Sequence, residues 1–146
     1  MPINKKIKLF ASHDWGNEGS NHVRVRFVVR HLQAEGFEVW FDEDDMSGNI
    51  MDSMCKGIDE SDYVLIFVTS NYMNKVESGL DSDNVRREFM YASRYADKLI
   101  PIRFAHDLPR IWSGPVGMLL GHTLYVDMPT SNSVDKLSQH IMSKNR

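Results

Sequence analysis

The segment that most constrains the fold of this chain is the continuous apolar run Tyr63–Val68, YVLIFV. Such a run, bounded by polar residues, is typical of a central parallel strand covered on both faces. Helical spacing of apolar residues occurs on both sides of it, at Ile50, Met51, Met54, Cys55 and Ile58 and again at Val85, Phe89, Ala92 and Ala96. A strand between two amphipathic helices indicates βαβ units, which cross over into a parallel sheet.

Four further short apolar segments predict strands, at Ile7–Ser12, Phe37–Phe41, Leu99–Phe104 and Thr123–Val126. Helical spacing also recurs in a first helix that ends near Gly36 and in a terminal helix, with inward positions at Val25, Val28, Val29 and Leu32 and at Val134, Leu137 and Ile141. We interpret Ser70–Asp83 as a long polar loop and Ala105–His122 as irregular with a short helix. The pattern predicts an α/β, flavodoxin-like three-layer sandwich with a five-stranded parallel sheet of order 2-1-3-4-5.

Length and composition favour one soluble domain over residues 1–146. Hydrophobic residues make up 42% and charged residues 25% of the chain, and the formal net charge of −3 gives no basic field for nucleic acid. No apolar run is long enough for a signal peptide or a membrane span. The single cysteine, Cys55, excludes an intramolecular disulfide. We therefore expect a cytoplasmic protein that binds neither nucleic acid nor membrane.

Several kinds of site lack their sequence signatures. The chain has no GxGxxG after its first strand, no P-loop and no HExxH. A phospho-acceptor receiver domain would need an aspartate at the end of the third strand, where this chain has Val68-Thr69-Ser70. The six histidines have no metal-ligand spacing, so we expect no metal site, and Cys55 on an apolar helix stripe favours packing over nucleophilic chemistry.

The predicted topology indicates where a ligand would bind. In an open parallel sheet, ligands bind outside the carboxyl ends of the strands where the strand order reverses, here between strands one and three. The loops at that edge are His13–Asn21 and Ser70–Asp83, and Glu88 is expected in the first turn of the helix that follows. A glutamate there either serves a reaction or merely suits the positive end of the helix dipole, and the residues alone favour the second explanation.

Five segments of the chain together resemble a Toll/interleukin-1 receptor (TIR) domain. They are KLFASHDW, VWFDEDDMSGN, DESDYVLIFVTSNYM, DNVRREF and LIPIRF, and they cover roughly the first two-thirds of the sequence. The loop between Phe41 and Ile50 contains no proline, whereas receptor members usually carry one there. The resemblance is therefore to the stand-alone or prokaryote-like branch.

The resemblance implies one of two functions. Some TIR domains cleave the nicotinamide–ribose bond of NAD+, giving nicotinamide and ADP-ribose or a cyclic ADP-ribose, in immune or cell-death signalling. Glu88 occupies the position of their catalytic glutamate, and NAD+ would be a substrate, with no permanently bound cofactor. Other TIR domains are non-catalytic modules that assemble with further TIR domains. Asn84 stands where many enzymatic members have a tryptophan, which favours the module, whereas Glu88 and the compact chain favour the enzyme, which is the function we expect. A third possibility is sensing of a small molecule without chemistry.

The NAD+ hypothesis assigns ligand contacts to residues around the crevice: Ser12, His13, Trp15, Arg24, Tyr72 and Asn84. Trp15 and Tyr72 would either stack on a ring of the ligand or pack over the edge of the domain. Arg24, Arg26 or Arg87 would offer a cation for the pyrophosphate, although Arg24, Arg26 and Arg30 also fit the solvated face of the first helix. The acidic run from Asp42 to Asp45 is either a solvated loop or, as the resemblance implies, a mobile loop that gates the site or contacts the next subunit.

Overall fold

A computed structural model of the chain describes residues 5–42, 49–78 and 84–145. Its five strands are β1 Lys8–Ser12, β2 Glu38–Trp40, β3 Tyr63–Val68, β4 Leu99–Arg103 and β5 Val126–Asp127. All neighbouring strands are parallel, and their order is β2-β1-β3-β4-β5. The predicted fold class and strand order are confirmed.

Helices cover both faces of this sheet. The described α-helices are α1 Ser20–Ala34, α2 Ile50–Glu60, α3 Ser70–Glu77, α4 Asn84–Ala92, α5 Gly114–Leu120 and α6 Val134–Lys144. Short 3-10 segments at Asn17–Gly19 and Ser93–Lys98 precede α1 and follow α4. Gly36 follows α1 with φ of 103°, as predicted for a residue beyond a helix C-terminus. None of the described helices is long and apolar enough to cross a membrane.

The core consists of two layers, one on each face of the sheet. Leu9 and Ala11 of β1 join the layer under α1 and α6, whereas Phe10 joins the layer under α2, α3 and α4. Because side chains alternate along a strand, Ser12 lies on the Phe10 side, facing α3 and α4. This alternation decides which helices supply partners for the last residue of β1.

The prediction of a long polar loop at Ser70–Asp83 is wrong for the first half of that segment, because Ser70–Glu77 forms α3. The Thr69 hydroxyl accepts a hydrogen bond from the Tyr72 backbone N–H at 3.0 Å and so caps the helix. Tyr72, Met73 and Val76 are buried at helical spacing. Residues 79–83 and the acidic residues 43–45 lie outside the described residues.

Three smaller expectations also need correction. The last strand is Val126–Asp127 rather than Thr123–Val126, and Leu124 is exposed. Ala96 does not continue the stripe of α4, because that helix ends at Ala92 and Tyr95 has non-helical backbone angles. On α2, Met54 and Ile58 are buried, whereas Ile50 and Met51 are half exposed. The predicted stripe is real, but half of it faces solvent.

Candidate functional site

Glu88 is a buried carboxylate in the interior of α4, with 6% of its surface exposed. The described helix begins at Asn84, so Glu88 lies in its second turn rather than in the first turn as predicted. The helix dipole acts mainly within the first turn and therefore does not explain a carboxylate here. Burial of a carboxylate is costly unless hydrogen bonds compensate for lost hydration, so its partners matter.

A chain of buried hydrogen bonds connects Glu88 to two residues that the NAD+ hypothesis selects. The Ser12 hydroxyl donates to Glu88 Oε1 at 2.9 Å, and Ser12 Oγ lies 2.8 Å from the Tyr72 hydroxyl oxygen. Since Ser12 has one proton to donate, the Tyr72 hydroxyl is the donor in the second bond. Burial and the nearby Glu88 carboxylate raise the pKa of Tyr72 well above its ordinary value, so Tyr72 keeps that proton.

The expected contact of Tyr72 with a ligand ring also needs correction. Its ring is fully buried and packs edge-on against Phe89, with ring centroids 6.2 Å apart and an interplanar angle of 81°. It lies on α3, where it cannot stack on a base. Tyr72 instead positions the Ser12 hydroxyl that holds Glu88.

A crevice of about 260 Å³ opens at the carboxyl ends of β1 and β3, where the topology predicts one. Polar residues from the β1–α1 loop, from the N-terminal part of α1 and from the start of α3 line it, among them Asp14, Asn17, Ser20, Asn21, Arg24, Thr69, Ser70 and Asn71. Glu88 does not line this crevice but lies beneath Ser12, at the end of the adjoining strand. The crevice and the buried carboxylate are thus separate, neighbouring parts of one sheet edge.

Asp14 is one of the crevice residues that the sequence did not single out as a ligand contact. It is almost fully buried, and its carboxylate accepts hydrogen bonds from the Thr69 hydroxyl and, at 3.3 Å, from Asn21 Nδ2. The same amide donates to the Asp14 carbonyl at 2.8 Å. These contacts join the loop after β1 to the start of α3. The available signal was an aspartate two residues after a strand, together with a threonine that directly follows the neighbouring strand.

Arg24 lies at the rim of the crevice rather than on the solvated face of α1. Its guanidinium donates to the carbonyls of Phe104 and Pro129, at 2.9 and 2.8 Å, and stacks 4.0 Å above the Phe104 ring. It is a fixed cation beside the crevice, suited to an anionic ligand group. Arg87, by contrast, lines a groove between α2 and α4, and Asn84 is exposed at the beginning of α4.

His13 and Trp15 belong to a second cluster rather than to the crevice. Trp15 stacks on His22 with ring centroids 3.7 Å apart, and its indole N–H donates to Asp42 at 3.0 Å. One face of the Trp15 ring therefore packs against the domain, as one of the two predicted alternatives has it. The side chain as a whole remains 47% exposed. His13 Nε2 lies 2.8 Å from His22 Nδ1. Burial lowers the pKa of His13, against the opposing effect of Asp42.

Fold and site together define a flavodoxin-like α/β domain with a polar crevice at the carboxyl ends of β1 and β3. The family model of the TIR domain matches residues 10–141, and the chain therefore belongs to the TIR domain family. A prokaryotic SEFIR domain of known structure is similar over 95% of this chain and 92% of its own, with 14% identity and a TM-score of 0.64. At that identity the similarity shows the fold alone. The curated proteins contain no significant match to this chain.

Proposed function

We propose that this TIR domain cleaves the nicotinamide–ribose bond of NAD+ and that Glu88 is the catalytic carboxylate. One observation carries the proposal: Glu88 is buried at the carboxyl edge of the sheet and accepts a hydrogen bond from Ser12 at the end of β1. A buried carboxylate beside a ligand crevice is a recurring feature of catalytic sites. The dipole explanation, which would make Glu88 purely structural, applies poorly to a second-turn residue.

The proposed reaction uses one carboxylate. The bond between the nicotinamide nitrogen and the ribose breaks, and its electron pair neutralises the pyridinium ring. The ribose becomes oxocarbenium-like, a transition state of the kind found in glycoside hydrolysis. Glu88 stabilises that positive charge and then accepts a proton from the attacking water, which yields ADP-ribose. Cyclisation replaces water with a group of the ligand itself.

The surrounding residues have supporting roles in this proposal. Ser12, held by Tyr72, fixes one oxygen of Glu88. Arg24 provides a cation at the crevice rim for the pyrophosphate. Asn84, in place of a tryptophan, offers no aromatic wall to nicotinamide. Trp15 lies between two residues that line the crevice, Asp14 and Gly16, and its ring is half exposed. It is therefore our candidate for the aromatic contact with nicotinamide.

A second function, assembly with other TIR domains, is favoured by an apolar groove between α2 and α4. The groove has a volume of about 350 Å³ and is lined by Met51, Met54, Cys55, Ile58, Arg87, Met90, Tyr91 and Arg94. Met51 and Met90 are each nearly half exposed. Exposed methionines suit an adaptable protein contact. The two functions are compatible, because an enzyme that works only when assembled needs both features.

The test is nicotinamide release from NAD+ by purified protein, in concentrated solution and tethered to beads at high density. Glu88→Gln keeps the size of the side chain and removes its charge. The matched control is Glu60→Gln, which changes an exposed carboxylate at the end of α2. We expect release by the wild type and by Glu60→Gln, and its loss in Glu88→Gln with an unchanged circular dichroism spectrum. Absence of release from the wild type at every density rejects the enzyme and leaves the assembly module.

A further inference from the structure

Two imidazoles and one carboxylate converge beside the crevice, at the ends of β1 and β2. His13 follows β1, His22 lies in the first turn of α1, and Asp42 follows β2. His13 Nε2 and His22 Nδ1 are 2.8 Å apart, and each lies 3.9 Å from Asp42 Oδ1. The three atoms thus form a compact triangle. Both histidines are buried, and the Asp42 side chain is 10% exposed.

The two oxygens of Asp42 have different surroundings. Oδ2 accepts the indole N–H of Trp15 at 3.0 Å. Oδ1 is buried and, among the described residues, finds no hydrogen-bond donor. A buried carboxylate oxygen without a donor loses its hydration without compensation. Because Oδ1 faces the two imidazole nitrogens, a cation between the three atoms would supply the missing partner.

We propose that His13, His22 and Asp42 form a binding site for a divalent transition-metal ion, with Zn²⁺ the ion that fits the donor set. Two imidazole nitrogens and one carboxylate oxygen are common zinc ligands and leave a fourth position for water. None of these ligand atoms comes from the Glu88 chain of hydrogen bonds. A test of metal binding at this site is therefore independent of a test of NAD+ cleavage.

The distances require only small side-chain shifts. Tetrahedral zinc at about 2.0–2.2 Å from each ligand places the ligand atoms roughly 3.3–3.5 Å apart. The distances in the structure, 2.8 Å between nitrogens and 3.9 Å from nitrogen to oxygen, lie on either side of that value. On binding, His13 would carry its proton on Nδ1 and His22 on Nε2, so that the facing nitrogens present their lone pairs to the metal.

The residues around the triangle are arranged to hold these ligands in place. Trp15 stacks on one side of His22, and Phe41 stacks against both His22 and His13, with centroids 4.9 and 5.4 Å away. The indole N–H of Trp15 fixes the Asp42 carboxylate so that Oδ1 points inward. Such outer contacts orient ligands and commonly change metal affinity about 10–100-fold when removed.

The experiment is a calorimetric titration of chelator-treated protein with Zn²⁺, supported by the visible absorption of the Co²⁺-substituted protein. We expect one equivalent bound by the wild type, with a tetrahedral Co²⁺ spectrum and a rise in melting temperature on addition of Zn²⁺. Asp42→Asn is nearly isosteric and leaves an oxygen for Trp15, and His22→Gln removes an imidazole. Each should weaken binding at least about tenfold, the lower bound set by outer-shell changes.

The matched control is His31→Gln. His31 lies 2.9 Å from Glu35 and 3.7 Å from Asp135, a similar group of side chains but on an exposed surface. This variant should bind Zn²⁺ like the wild type. The proposal is overturned if the wild type binds no stoichiometric metal, if Asp42→Asn binds with unchanged affinity, or if His31→Gln loses the site. Unchanged circular dichroism of the metal-free variants ensures that lost binding reports lost ligands.

Discussion

At the scale of single residues, the candidate site depends on hydrogen bonds between buried polar side chains. Glu88, Ser12 and Tyr72 form one chain of donors and acceptors, in which each buried group has a partner. The sequence predicted that Glu88 matters, because its position matches a family motif. It did not predict that Glu88 is buried, because the residues that hydrogen-bond around it are distant in the sequence. Ser12 lies 76 positions from Glu88, and Tyr72 lies 60 positions from Ser12.

The Tyr72 hydroxyl offers a first prediction at this scale. Tyr72→Phe removes the donor to Ser12 and leaves the ring packed against Phe89. We expect the free energy of unfolding to fall by about 1 kcal/mol, the usual net value of one hydrogen bond. Urea denaturation measures it. Tyr91→Phe is the control, because its hydroxyl bonds at 2.9 Å to Asp59 on the surface; it should cost less. An equal loss in both variants would contradict the buried chain.

The cluster of His13, His22 and Asp42 could not be predicted from the sequence. His13 and His22 are nine positions apart and follow no metal-binding motif. They meet Asp42 only because β1 and β2 are neighbours in the sheet and α1 begins between them. The absence of metal-ligand spacing among the histidines is a property of the linear sequence. It does not extend to the fold, where spacing is set by strand order.

At the scale of secondary-structure elements, local patterns predicted most elements and failed at α3. That segment contains many polar residues, which suggested a loop, yet Tyr72, Met73 and Val76 have helical spacing and Thr69 provides the cap. The start of α4 shows the same limit, because the ends of helices are among the least certain features that a sequence predicts. The displacement of Glu88 from the first turn to the second follows from this.

Thr69 gives a prediction about α3. Thr69→Ala removes the cap of α3 and the hydroxyl that donates to the buried Asp14 carboxylate. The free energy of unfolding should fall by about 1–3 kcal/mol, measured by urea denaturation. Ser113→Ala is the matched control, because Ser113 precedes α5 without a side-chain capping bond. It should leave stability nearly unchanged. Equal small effects would show that α3 does not depend on its cap.

At the scale of the whole molecule, strand order determines where chemistry is possible. The strand order reverses between the parallel strands β1 and β3, so the loop after β1 lies beside the start of α3, and the crevice forms there. Alternation along β1 then places Ser12 toward Glu88 on the helix side opposite α1. This much was predictable from the βαβ pattern. The open groove between α2 and α4 was not, because a helical stripe of apolar residues does not reveal which part stays uncovered.

The groove leads to a prediction about assembly. If copies of this domain meet through it, Met90→Glu should lower self-association at least severalfold, since a charge would be buried in an apolar contact. Met118→Glu is the control, because Met118 is 90% exposed on α5 and lies outside the groove. Analytical ultracentrifugation over a range of protein concentrations gives the comparison. Equal self-association of both variants would place the contact elsewhere.

The central claim is that the buried carboxylate of Glu88 performs chemistry. Its most direct test is the rate of nicotinamide release from NAD+ by densely tethered wild-type protein beside Glu88→Gln. We expect measurable turnover by the wild type that falls at least about 100-fold in the variant, because a catalytic acid–base group is lost. Equal rates in the two proteins would move catalysis to another residue. No release from the wild type at any density would contradict the enzymatic role altogether.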